Sequence, residues 1–119
     1  ATPRPPSRHC KPWGRWKVLA SEKGFKVKVL EVDLEKRTSL QSHAHRAEWW
    51  YILEGVAEVQ RGSGVMRASR GSSVYVAQEE KHRLSNVGAV PLRVIEIQIG
   101  EKLSEDDIVR YEDDYGRVK

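Results

Sequence analysis

The chain has 119 residues, a size that suits one domain and is large enough to bury a core without disulfide staples. Its hydrophobic fraction of 39% and charged fraction of 32% stay clear of the disordered range, and no apolar run approaches the roughly 18 residues a membrane-spanning helix needs. The formal net charge of +4 is spread among interleaved acids, without a basic block, so it points away from nucleic acid and fits a cationic pocket or a solvated surface.

Residues 1–12 carry Pro3, Pro5, Pro6 and Pro12 and are expected to form an extended arm, with the remaining residues, 13–119, forming the domain. The first fourteen residues contain no apolar core, so they do not read as a secretory signal. Cys10 is the single cysteine, which excludes an internal disulfide and suits a reducing, cytoplasmic setting. From Phe25 the texture changes, and Lys26 to Val32 alternates as a strand does. Trp49 to Leu53, Val56 to Gln60, Ser73 to Ala77, His82 to Asn86 and Leu92 to Ile99 are short and rich in Val, Ile, Tyr or Trp. Glu54-Gly55, Gly62-Ser63-Gly64, Arg70-Gly71 and Val87-Gly88 separate them as turns. Strands at this spacing predict an all-β sandwich or barrel. In the tail, Ser104 with Asp107 predicts a capping box on a short C-terminal helix.

Candidate metal ligands fall in the middle of the chain. His43 and His45 stand two apart, and on one continuous strand they would share a face. Glu48 would fall on the opposite face unless a bulge or turn at Arg46-Ala47 intervened. His82 lies on a later predicted strand. Three imidazoles and a carboxylate suit a divalent ion such as Zn, Mn, Co or Ni, without selecting among them.

Two motifs place this pattern in a known context. His43, His45 and Glu48 are followed, after six residues, by Gly55; Gly71, Ala77, Glu79, His82 and Asn86 fall at the spacings of a second motif. Together they resemble the cupin superfamily, with Ala77 and Glu79 standing where a Pro and a Gly are usual. Further segments extend the likeness: Pro12-Trp13-Gly14, Ser39-Leu40-Gln41, His45-Arg46-Ala47-Glu48, Ile95-Glu96-Ile97-Gln98 and Tyr115-Gly116-Arg117. These are similar to the C-terminal cupin domain of type II phosphomannose isomerase/mannose-1-phosphate guanylyltransferases. Trp49 replaces a His common after the motif Glu, and the Gly-rich nucleotide loop of the guanylyltransferase half is missing.

The resemblance implies a cupin jelly roll, a homodimer, and metal-dependent interconversion of mannose 6-phosphate and fructose 6-phosphate. Alternatives are a non-catalytic sugar-phosphate or sugar-nucleotide binding module and another metal cupin enzyme, such as an iron dioxygenase. Leu92, Val94, Glu96 and Gln98 share one face of their strand. If the isoleucines face outward, Glu96 is the candidate base, with Gln98 beside it. Arg46 is the second catalytic candidate. Lys28, Arg46, Arg83, Arg110 and Arg117 are candidate phosphate donors. Alternation turns Arg83 away from His82, and Gln41 shares the face of His43.

Overall fold

Alternating apolar and polar residues build the fold from strands alone. The computed structural model describes residues 8–118, and among them it contains eleven strands and no helix. They are β1 (Arg8–Lys11), β2 (Gly14–Glu22), β3 (Phe25–Val32), β4 (Leu40–Ser42), β5 (Arg46–Glu54) and β6 (Val56–Arg61), then β7 (Gly64–Ser69), β8 (Ser73–Val76), β9 (His82–Asn86), β10 (Leu92–Gly100) and β11 (Val109–Glu112). Two antiparallel sheets result, ordered β1-β2-β3-β10-β5-β8 and β11-β4-β9-β6-β7.

The sheets enclose an interior that is apolar at one end and polar at the other. Val32 and Leu30 on β3, Leu92 and Val94 on β10, and Ile52 and Trp50 on β5 pack against Ala57, Val59, Ala68 and Leu84 of the facing sheet. One or two positions further along the same inward faces stand Lys28, Glu96, Gln98, Glu48 and Arg46, all 6% exposed or less. Register keeps this change of character aligned across strands, because Glu96 pairs with both Lys28 and Trp50, and Gln98 pairs with Glu48. The isoleucines of β10 face outward, as Glu96 and Gln98 inside require.

Two glycines fix the ends of this arrangement, Gly55 beside the apolar core and Gly100 at the polar end. Gly55 turns the β5–β6 hairpin with φ +95°, a conformation other residues avoid. A Cβ on Gly100 would stand 2.2 Å from the His45 carbonyl oxygen and 2.9 Å from the Arg46 Cα, so only glycine lets β10 end against the start of β5.

Several expectations change. The predicted C-terminal helix is absent: Ser104 Oγ accepts from the Asp106 N–H in a turn, and the Asp107 carboxylate serves the Ala44 and His45 amides instead of a cap. Part of the predicted arm, Arg8–Lys11, is an edge strand paired with β2, while residues 1–7 lie outside the described residues. The tight turn before His82 survives without its glycine. Glu79 adopts φ +68°, and its N–H donates to the His43 carbonyl at 2.8 Å. No helix is long and apolar enough to cross a membrane.

Candidate metal centre

A break in the chain decides which side chains meet. β4 ends at Ser42, the chain bends at Ala44 and His45, and β5 starts at Arg46. Because His43 and His45 do not lie on one strand, alternation between them fails. Alternation resumes on β5, where Arg46 and Glu48 share the inward face. His43, Glu48 and His82 are then 2%, 1% and 1% exposed, with candidate ligand atoms all within 4.8 Å of one another. His43 Nε2 lies 3.5 Å from Glu48 Oε2, and His82 Nε2 lies 3.7 Å from Glu48 Oε1.

His45 is the correction. Its side chain is exposed and outside the cluster, and its contribution is the backbone N–H that donates to Asp107 at 2.9 Å. The bend predicted at Arg46-Ala47 falls earlier, at Ala44-His45, so it brings Glu48 inward and turns His45 out.

Both remaining imidazoles are set for ligation. His43 Nδ1 lies 2.6 Å from the Asp107 carbonyl oxygen and His82 Nδ1 lies 2.9 Å from the Glu80 carbonyl oxygen. A carbonyl only accepts, so each Nδ1 carries the proton and each Nε2 turns a lone pair toward Glu48, as in second-shell support of metal-bound histidine. His82 Nε2 is buried without a hydrogen-bond partner. Burial, with the charges of Arg46 and His82, lowers the His43 pKa to about 4, which keeps it neutral near pH 7. Ligand atoms bound at roughly 2.1 Å sit about 3–3.5 Å apart, so the observed separations need only a small contraction. The donor set fits a divalent ion held by His43, Glu48 and His82, with further positions left to water or substrate oxygens.

Arg46 stands among these ligands. Its Nε donates to Glu48 Oε2 at 2.8 Å and its Nη2 lies 3.2 Å from His43 Nε2, while Nη1 is buried without a partner. Trp50 donates through Nε1 to Glu48 Oε1 at 3.2 Å and Glu96 Oε2 at 3.3 Å. An apolar-looking strand hides that role, because only the indole N–H carries it.

A cavity opens beside the cluster. Lys28, Gln41, Glu96, Arg110 and Arg117 line it, together with Trp13, Trp16, Trp50, Lys11 and Glu105. Gln41 Nε2 lies 3.4 Å from His43 Nε2, and its Oε1 accepts from Ser39. Gln98 does not line the cavity; it is fully buried and its amide donates to Glu96 Oε1 at 2.7 Å. Burial and the nearby Glu48 charge raise the Glu96 pKa, against the opposing pull of Lys28 and Arg46. Lys28 Nζ lies 2.6 Å from Glu105 Oε2 and 3.7 Å from the centre of the Trp16 ring. Burial lowers the pKa of Arg110, whose Nε has no partner, and Arg117 is held by Asp113.

Arg83 is the second correction. Its guanidinium donates to the Thr38 carbonyl and to Glu112, tying β9 to β11 away from the cavity. Alternation from the inward His82 dictates that direction. Lys11 and Glu105 were also missed, since a proline-rich arm and a tail carry no sign that both fold back over the barrel mouth.

The two-sheet β fold and its buried histidine–carboxylate cluster define a cupin-type domain. Solved structures share the fold. An oxalate decarboxylase from Lactobacillus farciminis superposes with TM-score 0.76 at 18% identity, covering 87% of this chain and 33% of that one. KdgF from Halomonas sp. does so with TM-score 0.74 at 15% identity, covering 81% and 89%. The chain belongs to the mannose-6-phosphate isomerase C-terminal family, whose model matches residues 6–113. It is 45% identical over 108 residues to the xanthan biosynthesis protein XanB of Xanthomonas campestris pv. campestris, covering 91% of this chain and 23% of XanB. It is 41% identical over 113 residues to the alginate biosynthesis protein AlgA of Pseudomonas aeruginosa, covering 92% and 24%. Against the mannose-1-phosphate guanylyltransferase ManC of Salmonella typhimurium it is 38% identical, covering 91% and 22%. The chain thus spans about a quarter of the length of these relatives.

Proposed function

We propose that this domain is a metal-dependent sugar-phosphate isomerase that interconverts mannose 6-phosphate and fructose 6-phosphate in the cytoplasm. The observation that carries the reading is the placement of Glu96. It borders the cavity, within reach of the same indole N–H as the ligand Glu48, while Lys11, Lys28, Arg110 and Arg117 supply positive charge around the opening. Family membership supports the reaction class.

Aldose–ketose isomerisation needs a base that carries one proton between C2 and C1, stabilisation of the enediolate oxygens, and an anchor for the phosphate. Glu96 is the base; Gln98 and Trp50 hold its two oxygens in place. Its raised pKa strengthens it as a proton acceptor and lets it return the proton to the neighbouring carbon. Arg110, Arg117 and Lys11 receive the phosphate. Lys28 stands beside Glu96 in register and faces the substrate oxygens. A divalent ion held by His43, Glu48 and His82 would polarise the carbonyl and stabilise the developing enediolate charge.

A coupled assay for fructose 6-phosphate, run on metal-loaded and chelator-treated protein, tests the reading. Turnover should require metal. Glu96→Gln should lower kcat about 10²–10⁴-fold with metal content unchanged. Binding of mannose phosphates by loaded protein without turnover would reject the isomerase in favour of a binding module.

A further inference from the structure

The guanidinium of Arg46 lies against two of the three candidate metal ligands. It is 6% exposed and touches two of the three candidate ligands at the atoms they would use, Glu48 Oε2 and His43 Nε2. His43 Nε2 cannot satisfy Arg46 and a cation together, because its lone pair is single, and two positive charges within one buried cluster repel strongly. Without a counter-ion, the buried Glu48 carboxylate would be costly to keep ionised. Arg46 supplies that counter-ion from only two residues away on β5.

We propose that Arg46 is a built-in rival of the metal, neutralising Glu48 in the metal-free protein and swinging out of the cluster when a divalent ion enters. The inference rests on the metal-site reading above. Outside the cluster, the carboxylates of Glu96 and Glu105, both of which line the cavity, would serve as acceptors. The buried Nη1, unpaired in the present pose, gains a partner on either carboxylate. Metal loading would then deliver a guanidinium to the cavity at the moment the cation arrives, coupling assembly of the cation site to completion of the substrate site. It would also make the metal exchangeable, since Arg46 returns when the ion leaves.

The test needs no catalysis. In wild-type protein, the Arg46 Nε–H should give a protected ¹⁵N–¹H resonance that shifts and loses protection on addition of one equivalent of Zn²⁺. Zn²⁺ affinity, measured by competition with a chromophoric chelator, should tighten at least about tenfold in Arg46→Met, while Arg46→Lys falls in between. The metal-free Arg46→Met protein should have a lower thermal midpoint than wild type, recovered by Zn²⁺. Should Arg46→Met not fold without metal, the wild-type resonance decides alone. Stoichiometric Zn²⁺ binding with an unchanged Arg46 resonance would overturn the proposal, as would equal or weaker affinity in folded Arg46→Met. Failure of wild type and Arg46→Met alike to bind Zn²⁺ would instead overturn the metal-site reading, and this proposal with it. Binding by Arg46→Met alone would be the strongest support.

Discussion

A single bend separates two histidines that the sequence presents as equals. His43 and His82 each donate Nδ1–H to a backbone carbonyl and turn Nε2 inward, whereas His45 points to solvent. Substituting His82 by Ala should therefore remove bound metal, with a loss of about tenfold or more in affinity. His45→Ala should retain full stoichiometry, and elemental analysis of both variants side by side checks this. The candidate ligands at 43, 48 and 82 were legible because each is a chemically scarce residue in or beside a strand-like segment. The exclusion of His45 was not, because the i,i+2 rule presumes an unbroken strand. Nothing in the letters His-Ala-His marks where β4 stops. That Arg46 resides in the cluster was not legible either, for the same reason.

At the scale of elements, the segment after β10 behaves as a clamp on the bend. The Asp107 carboxylate accepts from the Ala44 and His45 amides at 2.9 Å each, and its own carbonyl holds His43. Burial alone would raise the Asp107 pKa, but the two donated N–H groups lower it below the ordinary aspartate value of 3.8. A carboxylate with a depressed folded-state pKa lends stability that is complete above its unfolded value and is lost as pH falls below it. Wild-type protein should thus lose this contribution only below about pH 4, and Asp107→Ala should lose it at every pH. A cost of about 2 kcal/mol is expected from leaving the two amides without their acceptor, read as a shift in urea midpoint at pH 7. The variant's deficit should shrink as pH drops past 3.8. Sequence reading gave Asp107 to a helix cap, since Ser-x-x-Asp is a sound local signal. A long-range pair of backbone donors, supplied by the bend, outcompetes it. The strands were read more safely, because a half-buried strand writes its alternation locally: β9 spans the predicted residues, and β3, β5, β6, β8 and β10 differ from prediction only at their ends. β2 and β7 escaped because β2 is exposed over its second half and β7 buries only Ala68, which blurs the pattern.

On the whole molecule, the outer face of the larger sheet carries an apolar patch across four adjacent strands, bordered by the charged row Glu31, Arg93 and Glu54. Val29, Ile95 and Tyr51 form one row in register; Val27, Ile97, Trp49 and Tyr75 form the next; Phe25, Ile99 and Ala47 follow. Trp49 and Tyr75 lie 4.8 Å apart and are 43% and 40% exposed. An uncharged patch with aromatic anchors has the composition of an interface core, and a standard interface buries about 800 Å² per partner once its rim is added. We propose a second copy of this chain as the occupant, since two such faces match each other in lacking charge. Light scattering after gel filtration should give the mass of two chains, and Trp49→Glu should give one. A monomeric wild type at high concentration would reject the dimer.

The clamp also bears on the order in which the protein is made. His43, Glu48 and His82 are made before residues 104–117, yet those later residues orient the first imidazole, tether Lys28 and bring Arg110 and Arg117 to the cavity. Ion capture with full geometry would therefore wait for residues 104–117, and a chain cut before them would present the candidate ligands without the brace that aims them.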